Sequence, residues 1–277
     1  MLGHRAGHRK AIVPSVNTDE CSNDEVRVPI LYRDEHLVVV YKPSGLLVHR
    51  SPIDRLETQF VMQVVRDQIG HRVFTVHRLD KPTSGILLFA LSSAAANEMM
   101  LKFQAGQVRK QYVAIVRGCV TTSGTIDYAL SDEPDRVAEP KARRDRPAQA
   151  AVTHYHALAD VELNVAVSRY PTSRYSLLSL QPENGRRHQL RRHLRHIFHP
   201  IIGDTTHGEG RHNRFFRTEF NCHRLLLAAT GMQFEHPFTE QLITINSLPD
   251  ITFTRVSDAL GWRERLDNLA PIAEPST

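Results

Sequence analysis

The stretch Val76-His77-Arg78-Leu79-Asp80-Lys81-Pro82-Thr83-Ser84-Gly85, followed at once by Ile86-Leu87-Leu88-Phe89-Ala90, decides how this chain is read. The second part is an apolar run bounded by turn residues, which predicts a buried strand. A shorter strand ends near Val76, so residues 77–84 form a polar loop held by a sheet on both sides. Catalytic groups are often carried on loops that a rigid scaffold positions in this way. Asp80 is therefore a candidate, flanked by Arg78 and Lys81, whose positive charges favour a carboxylate. The competing reading is a turn aspartate, because Thr83-Ser84-Gly85 is turn chemistry.

Working outward, residues 1–28 are rich in Asp, Asn, Ser and Arg with little apolar periodicity, and a poorly ordered extension is expected there. Folded structure is expected from Pro29 onward. Residues 37–41 read as a buried strand, Lys42-Pro43-Ser44-Gly45 as a turn, and residues 57–69 as a helix with Phe60, Val61, Val64, Val65 and Ile69 on one face. Beyond the central stretch, Ser92-Ser93 caps a helix that ends at Gly106, and residues 110–116 alternate as a strand around Tyr112. Residues 131–149 read as a surface loop or flexible arm. Strands are predicted at 151–158 and 175–180. Asn184-Gly185 opens a helix that Pro200 stops, with Leu190, Leu194 and Ile197 as its apolar stripe and Arg187, Arg191 and Arg195 repeating on another face. A strand at 224–229 and a hairpin around His236-Pro237-Phe238-Thr239 complete the core. This mixed order of strands and helices predicts an α+β fold. One domain is expected over 29–260, with 261–277 as a C-terminal tail.

The chain has 277 residues and a formal net charge of +5, with three widely spaced cysteines and no CxxC pair. That usage fits a reducing cytoplasm and argues against a thiolate zinc site. No apolar run approaches the roughly 20 residues of a membrane span, and the basic N-terminus lacks an apolar signal region. The charge is concentrated. Residues 185–224 hold nine arginines and seven histidines against three acids, and Lys141-Ala142-Arg143-Arg144-Asp145-Arg146 is a second basic cluster. Clustered guanidinium groups suit phosphate recognition, so a nucleic acid is the expected partner; a merely solvated face is the alternative. His193 and His196 have i, i+3 spacing, but no HExxH or similar pattern occurs, and no metal is expected.

His77-Arg78-Leu79-Asp80 followed by Thr83-Ser84-Gly85 closely resembles the active-site signature of the RluA family of pseudouridine synthases. Lys110-Gln111-Tyr112-Val113-Ala114-Ile115-Val116-Arg117-Gly118 is similar to that family's second motif, and Gly185-Arg186-Arg187-His188-Gln189-Leu190-Arg191-Arg192-His193 to its third. Pro200-Ile201-Ile202-Gly203-Asp204 and His223-Arg224-Leu225-Leu226-Leu227-Ala228 extend the resemblance over about residues 30–250. It implies a central mixed, largely antiparallel sheet flanked by helices. It also implies Asp80 as the catalytic carboxylate, Arg191 as its ionic partner, Tyr112 as a stacking platform for the target base, and Arg78 in the gap left by a flipped nucleotide. Leu225 and Leu226 are candidates for an apolar pocket wall, or equally plain core residues.

The resemblance implies an isomerase needing no cofactor. The N1–C1′ bond breaks, the uracil turns, and C5 joins C1′, with no change of oxidation state. An aspartate could serve as nucleophile or as base and electrostatic stabiliser. No small extra N-terminal RNA-binding domain is expected, so RNA selection falls to the basic segments 141–146 and 186–217, with Arg187, Arg195, Arg211 and Arg214 as the candidate contacts. Residues 203–217 resemble a tRNA-modifying branch, implying a uridine in the acceptor-stem/T-stem region, at tRNA position 65. Large-subunit rRNA is the alternative substrate. An RNA-binding module without catalysis and a histidine-dependent metal hydrolase are the rivals from other classes. No obligate protein partner is evident.

Overall fold

A computed structural model describes residues 27–49, 58–131 and 147–272. Of the extension expected over residues 1–28, the first 26 lie outside these, as do the basic cluster at 141–146 and residue 57 of the helix expected over 57–69; residues 58–60 are described and precede the helix.

The first antiparallel pair is β1 (Ile30–Arg33) with β2 (Leu37–Lys42). Its turn is fixed by Asp34, whose carboxylate accepts from the amides of His36 and Leu37 at 2.7 Å each. The helix α1 (Val61–Ile69) is closed by Gly70 in the left-handed conformation. Then come β3 (Phe74–Thr75), β4 (Ser84–Ala90) and α2 (Ser93–Gln104). As expected, α2 is capped at Ser92, whose hydroxyl accepts from the amide of Ala95 at 3.1 Å. The second half runs through β5 (Arg109–Arg117), β6 (Gly124–Asp127), β7 (Val152–Leu163), β8 (Ser173–Pro182), α3 (Gln189–His196) and α4 (Gly210–Phe220). It ends with the hairpin β9 (Leu227–Glu235) and β10 (Leu242–Asn246), then α5 (Ile251–Ala259) and α6 (Arg263–Asp267).

All ten strands join one sheet in the order β1-β2-β4-β9-β5-β8-β7-β6, with β10 also on β9 and β3 also on β4. Every pairing among these strands is antiparallel except β4 with β9. This is the α+β architecture with the largely antiparallel mixed sheet that the sequence implied. The parallel junction has two registered pairs, Ser84 with Ala228 and Gly85 with Ala229. Gly85 has φ +110°, and a Cβ there would strike the Ala229 backbone. Only glycine meets both demands, so the Thr-Ser-Gly of the opening stretch lets the two halves of the sheet touch.

Apolar side chains of β2, β4, α1 and α2 form one core cluster. Tyr175, Phe216, Phe253, Trp262 and Leu266 belong to a second, and Leu178, Leu180, Leu190, Leu194 and Leu225 to a third.

Four expectations are corrected. The helix expected from Asn184 begins only at Gln189, because His188 is left-handed (φ 54°) and the amide of Arg186 is taken by Gln189 Oε1 at 3.0 Å. It ends at His196, before Phe198, which is also left-handed (φ 63°). Arg187 therefore precedes the helix, and no arginine stripe 187/191/195 exists. The strand expected at 224–229 runs instead from Leu227 to Glu235. Leu226, fully buried among Val113, Ile115 and Tyr175, is a core residue and not a pocket wall. Finally, Trp262, Leu266 and Ile272 are buried, so the described part of 261–277 is folded against the core and is not a tail.

Candidate active site

The loop bearing Asp80 is tied down from below. The end of β2 and the turn after it supply three clips: Gly45 N–H to the Lys81 carbonyl (2.9 Å), Ser44 Oγ–H to the Pro82 carbonyl (2.7 Å), and Lys42 Nζ to the Lys81 carbonyl (3.0 Å). Lys42 is wholly buried and also donates to the carbonyls of Pro43 (2.9 Å) and Leu46 (2.8 Å). Burial pulls its pKa down to about 7, the Arg224 charge adds to this, and Asp80 opposes it. The loop closes on itself through Thr83 N–H to the Asp80 carbonyl at 3.0 Å.

Asp80 Oδ2 lies 3.2 Å from Arg191 Nη1, across 111 residues of chain. The same guanidinium grips Asp204 through two parallel bonds, Nε to Oδ2 at 2.7 Å and Nη2 to Oδ1 at 2.8 Å. Arg191 is thus a rigid fork: its inner edge is held by Asp204 and its outer tip by Asp80. Side-chain exposure falls along this line, from 24% at Asp80 to 5% at Arg191 and 1% at Asp204. Burial works to raise the pKa of Asp204, but the bonds from Arg191 and from the amides of His207 and Thr206 outweigh it and hold it below the usual range. Burial likewise opposes the charge on Arg191, and the two carboxylates overcome it. Asn213 completes the support, donating to the Asp204 carbonyl and accepting from the Gly203 amide, both at 2.8 Å.

Tyr112 stands on β5 just past an irregularity in its pairing with β9, the kind of break that re-aims a side chain beside a site. Burial first, and the Asp80 charge second, push its hydroxyl pKa well up, so the phenol stays neutral. Arg78 is exposed at the outer end of the loop, near enough to His49 to help burial lower the pKa of that histidine. Arg187 is exposed just before α3 and Arg195 on it. On α4, Arg211, Arg214 and Arg217 are all exposed at i, i+3 and i+6, while His212, Asn213 and Phe216 face inward.

Asp80, Arg191 and Tyr112 are therefore brought together and Arg78 rims the loop, while Leu226 is fully buried in the core. Sequence reading missed Lys42 as a tether and Asp204 as the inner anchor of Arg191. It also missed His188, whose Nδ1 is 2.9 Å from His207 Nε2 and whose Nε2 is 3.9 Å from Asp80 Oδ2. Three other histidines of the basic region are spoken for. His193 bonds Thr153 Oγ1 (2.9 Å) and the Tyr128 carbonyl (3.0 Å), His199 the Arg117 carbonyl (2.9 Å), and His212 the Tyr175 hydroxyl (2.8 Å). Among the described residues, no group of three His, Cys, Asp or Glu is placed to hold a metal ion. None of their helices is long and apolar enough to cross a membrane.

Residues 36–196 match the family described as RNA pseudouridylate synthase. The chain is 51% identical over 247 residues to tRNA pseudouridine synthase C of Pectobacterium carotovorum subsp. carotovorum, covering 89% of this chain and 66% of that protein. It is 50% identical over 248 residues to the protein of the same name from Yersinia pestis, covering 90% and 96%. In fold it is similar to human RNA Pseudouridylate Synthase Domain Containing 1 (TM-score 0.63, 23% identity, covering 83% of this chain and 86% of that one). Human RNA Pseudouridylate Synthase Domain Containing 4 is also similar (TM-score 0.60, 26% identity, covering 88% and 95%).

Proposed function

The chain belongs to the RNA pseudouridylate synthase family, and on that premise we propose that it isomerises a uridine of tRNA, with Asp80 as the catalytic carboxylate. The observation that carries this reading is the convergence of Asp80, Arg191 and Tyr112 at one partly open place from three distant parts of the chain. The reaction breaks N1–C1′ and forms C5–C1′. The proton on C5 leaves, N1 gains one, and nothing is oxidised or reduced.

A carboxylate clamped by a guanidinium can act at the sugar as nucleophile, or as base and stabiliser of positive charge. The clamp fixes direction; the desolvation cost of burying such a pair leaves little net stability from it. The target base must leave its stack, at a cost of a few kcal/mol. Stacking on the Tyr112 ring returns roughly 1–3 kcal/mol, and the exposed Arg78 enters the vacated space on this reading. Arg187, Arg195, Arg211 and Arg214 supply phosphate contacts on the exposed surface. The relatives' names favour tRNA, and the uridine at tRNA position 65 is the proposed target, reached in the cytoplasm.

The test is tritium release from [5-³H]uridine-labelled tRNA and rRNA, wild type against Asp80→Asn. Release from tRNA by the wild type alone is expected. Release from rRNA alone would keep the reaction and replace the substrate. Binding of either RNA without release would leave an RNA-binding protein in place of an enzyme.

A further inference from the structure

His188 is a residue in an unusual position. It takes the left-handed conformation (φ 54°, ψ 26°) at the N-cap of α3, where it makes no side-chain capping bond. Left-handed backbone in a side chain of this size persists only where the surroundings over-determine it, and it clusters at functional sites. Here it turns the imidazole away from the helix end and toward Asp80. Nδ1 meets His207 Nε2 at 2.9 Å with the two rings nearly perpendicular, at 74°. Nε2 faces Asp80 Oδ2 at 3.9 Å. His207 is itself anchored, since its amide donates to Asp204 Oδ1 at 2.9 Å. The pair thus hangs from the same carboxylate that holds Arg191.

The groups facing His188 determine its protons. They are Asp80 on the loop, Arg191 on α3, His207 from the segment before α4, and Arg187 next to it in the chain. Burial first lowers its pKa, Asp80 opposes this, and Arg191, His207 and Arg187 add to it, leaving a neutral ring with a value of about 4. A neutral imidazole carries one N–H. A lone pair on Nε2 aimed at a carboxylate oxygen would be repelled, so the proton belongs on Nε2. Nδ1 is then an acceptor, and the bond runs from His207 Nε2–H to His188 Nδ1.

We propose that His188, held as its Nε2–H tautomer by His207, is a positioning residue for Asp80. Its N–H and the Arg191 guanidinium approach the same oxygen, Oδ2, and together they leave Oδ1 to face the nucleotide. The 3.9 Å separation is longer than a hydrogen bond, and such contacts tighten when substrate closes the site. The inference rests on the reading of Asp80 as the catalytic carboxylate, and it assigns work to two histidines that this reading does not use.

The test has two arms. In the first, single-turnover tritium release from [5-³H]uridine-labelled tRNA is measured for wild type, His188→Phe, His188→Gln and His207→Phe, together with tRNA affinity. His188→Phe and His207→Phe are expected to slow the step by about 10- to 100-fold, the scale of a small misplacement of a reacting group, with affinity unchanged. His188→Gln, which keeps an N–H at similar reach, is expected to recover most of the rate. In the second arm, long-range ¹H–¹⁵N spectra of imidazole-labelled wild type, which depend on no variant folding, are expected to give His188 as the neutral Nε2–H form at pH 7. The Nδ1–H form, a charged ring, or an undiminished rate in His188→Phe would overturn the proposal. If wild type releases no tritium from any RNA, the functional reading fails instead, and the spectra still decide the tautomer.

Discussion

Two short helices carry arginines in similar density and use them in opposite ways. On α3, Arg191 is turned inward and forked between Asp204 and Asp80. On α4, Arg211, Arg214 and Arg217 line an exposed face. The inner arginine sets a geometry, and its removal strands two carboxylates. The outer arginines face solvent, where on the proposed function they would meet phosphate. Residue type alone does not distinguish these roles; what distinguishes them is whether an acid from a distant part of the chain is waiting at the same place.

The comparison breaks if Arg191 proves dispensable. Arg191→Met should lower the free energy of unfolding by about 3–5 kcal/mol, the cost of leaving buried partners uncompensated, and lower single-turnover tritium release by about 100-fold or more. Arg195→Met, on the same helix but exposed, should stay within about 0.5 kcal/mol of wild type. Chemical denaturation of the two variants side by side reads the difference.

Lys42 extends the inner set. Lys42→Met takes the Nζ donor from the carbonyls of Pro43, Leu46 and Lys81, of which only the last keeps another, Gly45 N–H, and a loss of about 1–3 kcal/mol is expected from buried unsatisfied groups. Because one of those carbonyls belongs to the Asp80 loop, the turnover rate should fall further than RNA affinity does.

Acid should act on another interior group. The His77 ring stacks on Phe103 and accepts from the Leu88 amide at 2.9 Å. Burial first, and the Lys110 charge second, depress its pKa from 6.5 to about 3. The unfolded chain therefore takes up a proton that the fold refuses. The contribution of His77 to stability is whole above pH 6.5 and is lost as pH falls toward about 3. His77→Gln, able to accept the same bond without titrating, should show a shallower decline of Tm over that range.

The smallest effect on stability, and the sharpest contrast, belongs to α4. Replacing Arg211, Arg214 and Arg217 by Gln should leave Tm nearly unchanged. The same change should flatten the dependence of log affinity on log salt by roughly 0.7–0.9 for each phosphate that is no longer neutralised. A steep fall in Tm would place these arginines with Arg191 instead.

Much of this was legible along the chain. The apolar run at 86–90 and the alternation around Tyr112 are short-range signals, and both strands formed where those signals lie. The resemblance implied the pairing of Asp80 with Arg191, which no short-range pattern could supply across 111 residues. The failures share a physical cause. Helical spacing grouped Arg187 with Arg191 and Arg195, but a hydrogen bond from the Arg186 amide to Gln189 and the left-handed backbone of His188 start the helix late. Leu226 lay in a motif, yet depth in the core is a property of the packed sheet and not of the motif. Lys42 is polar and wholly buried, because three carbonyls meet at its Nζ only after the loop and the turn have come together. Asp204 has no local signature, since its partner lies 13 residues away on another element.

The parallel contact between β4 and β9 has a further consequence, in the time the chain takes to become active. Most strand neighbours in this sheet are antiparallel, and pairs such as β1–β2, β7–β8 and β9–β10 lie close in sequence. The β4–β9 contact instead joins Gly85 to Ala229 through two registered pairs. Closing so long a loop for so few bonds is a late and entropically costly event. A ribosome that has produced the Asp80 loop has not yet produced Arg191, Asp204 or β9. The Asp80 carboxylate therefore has no clamp while the 111 residues that lead to Arg191 are being made.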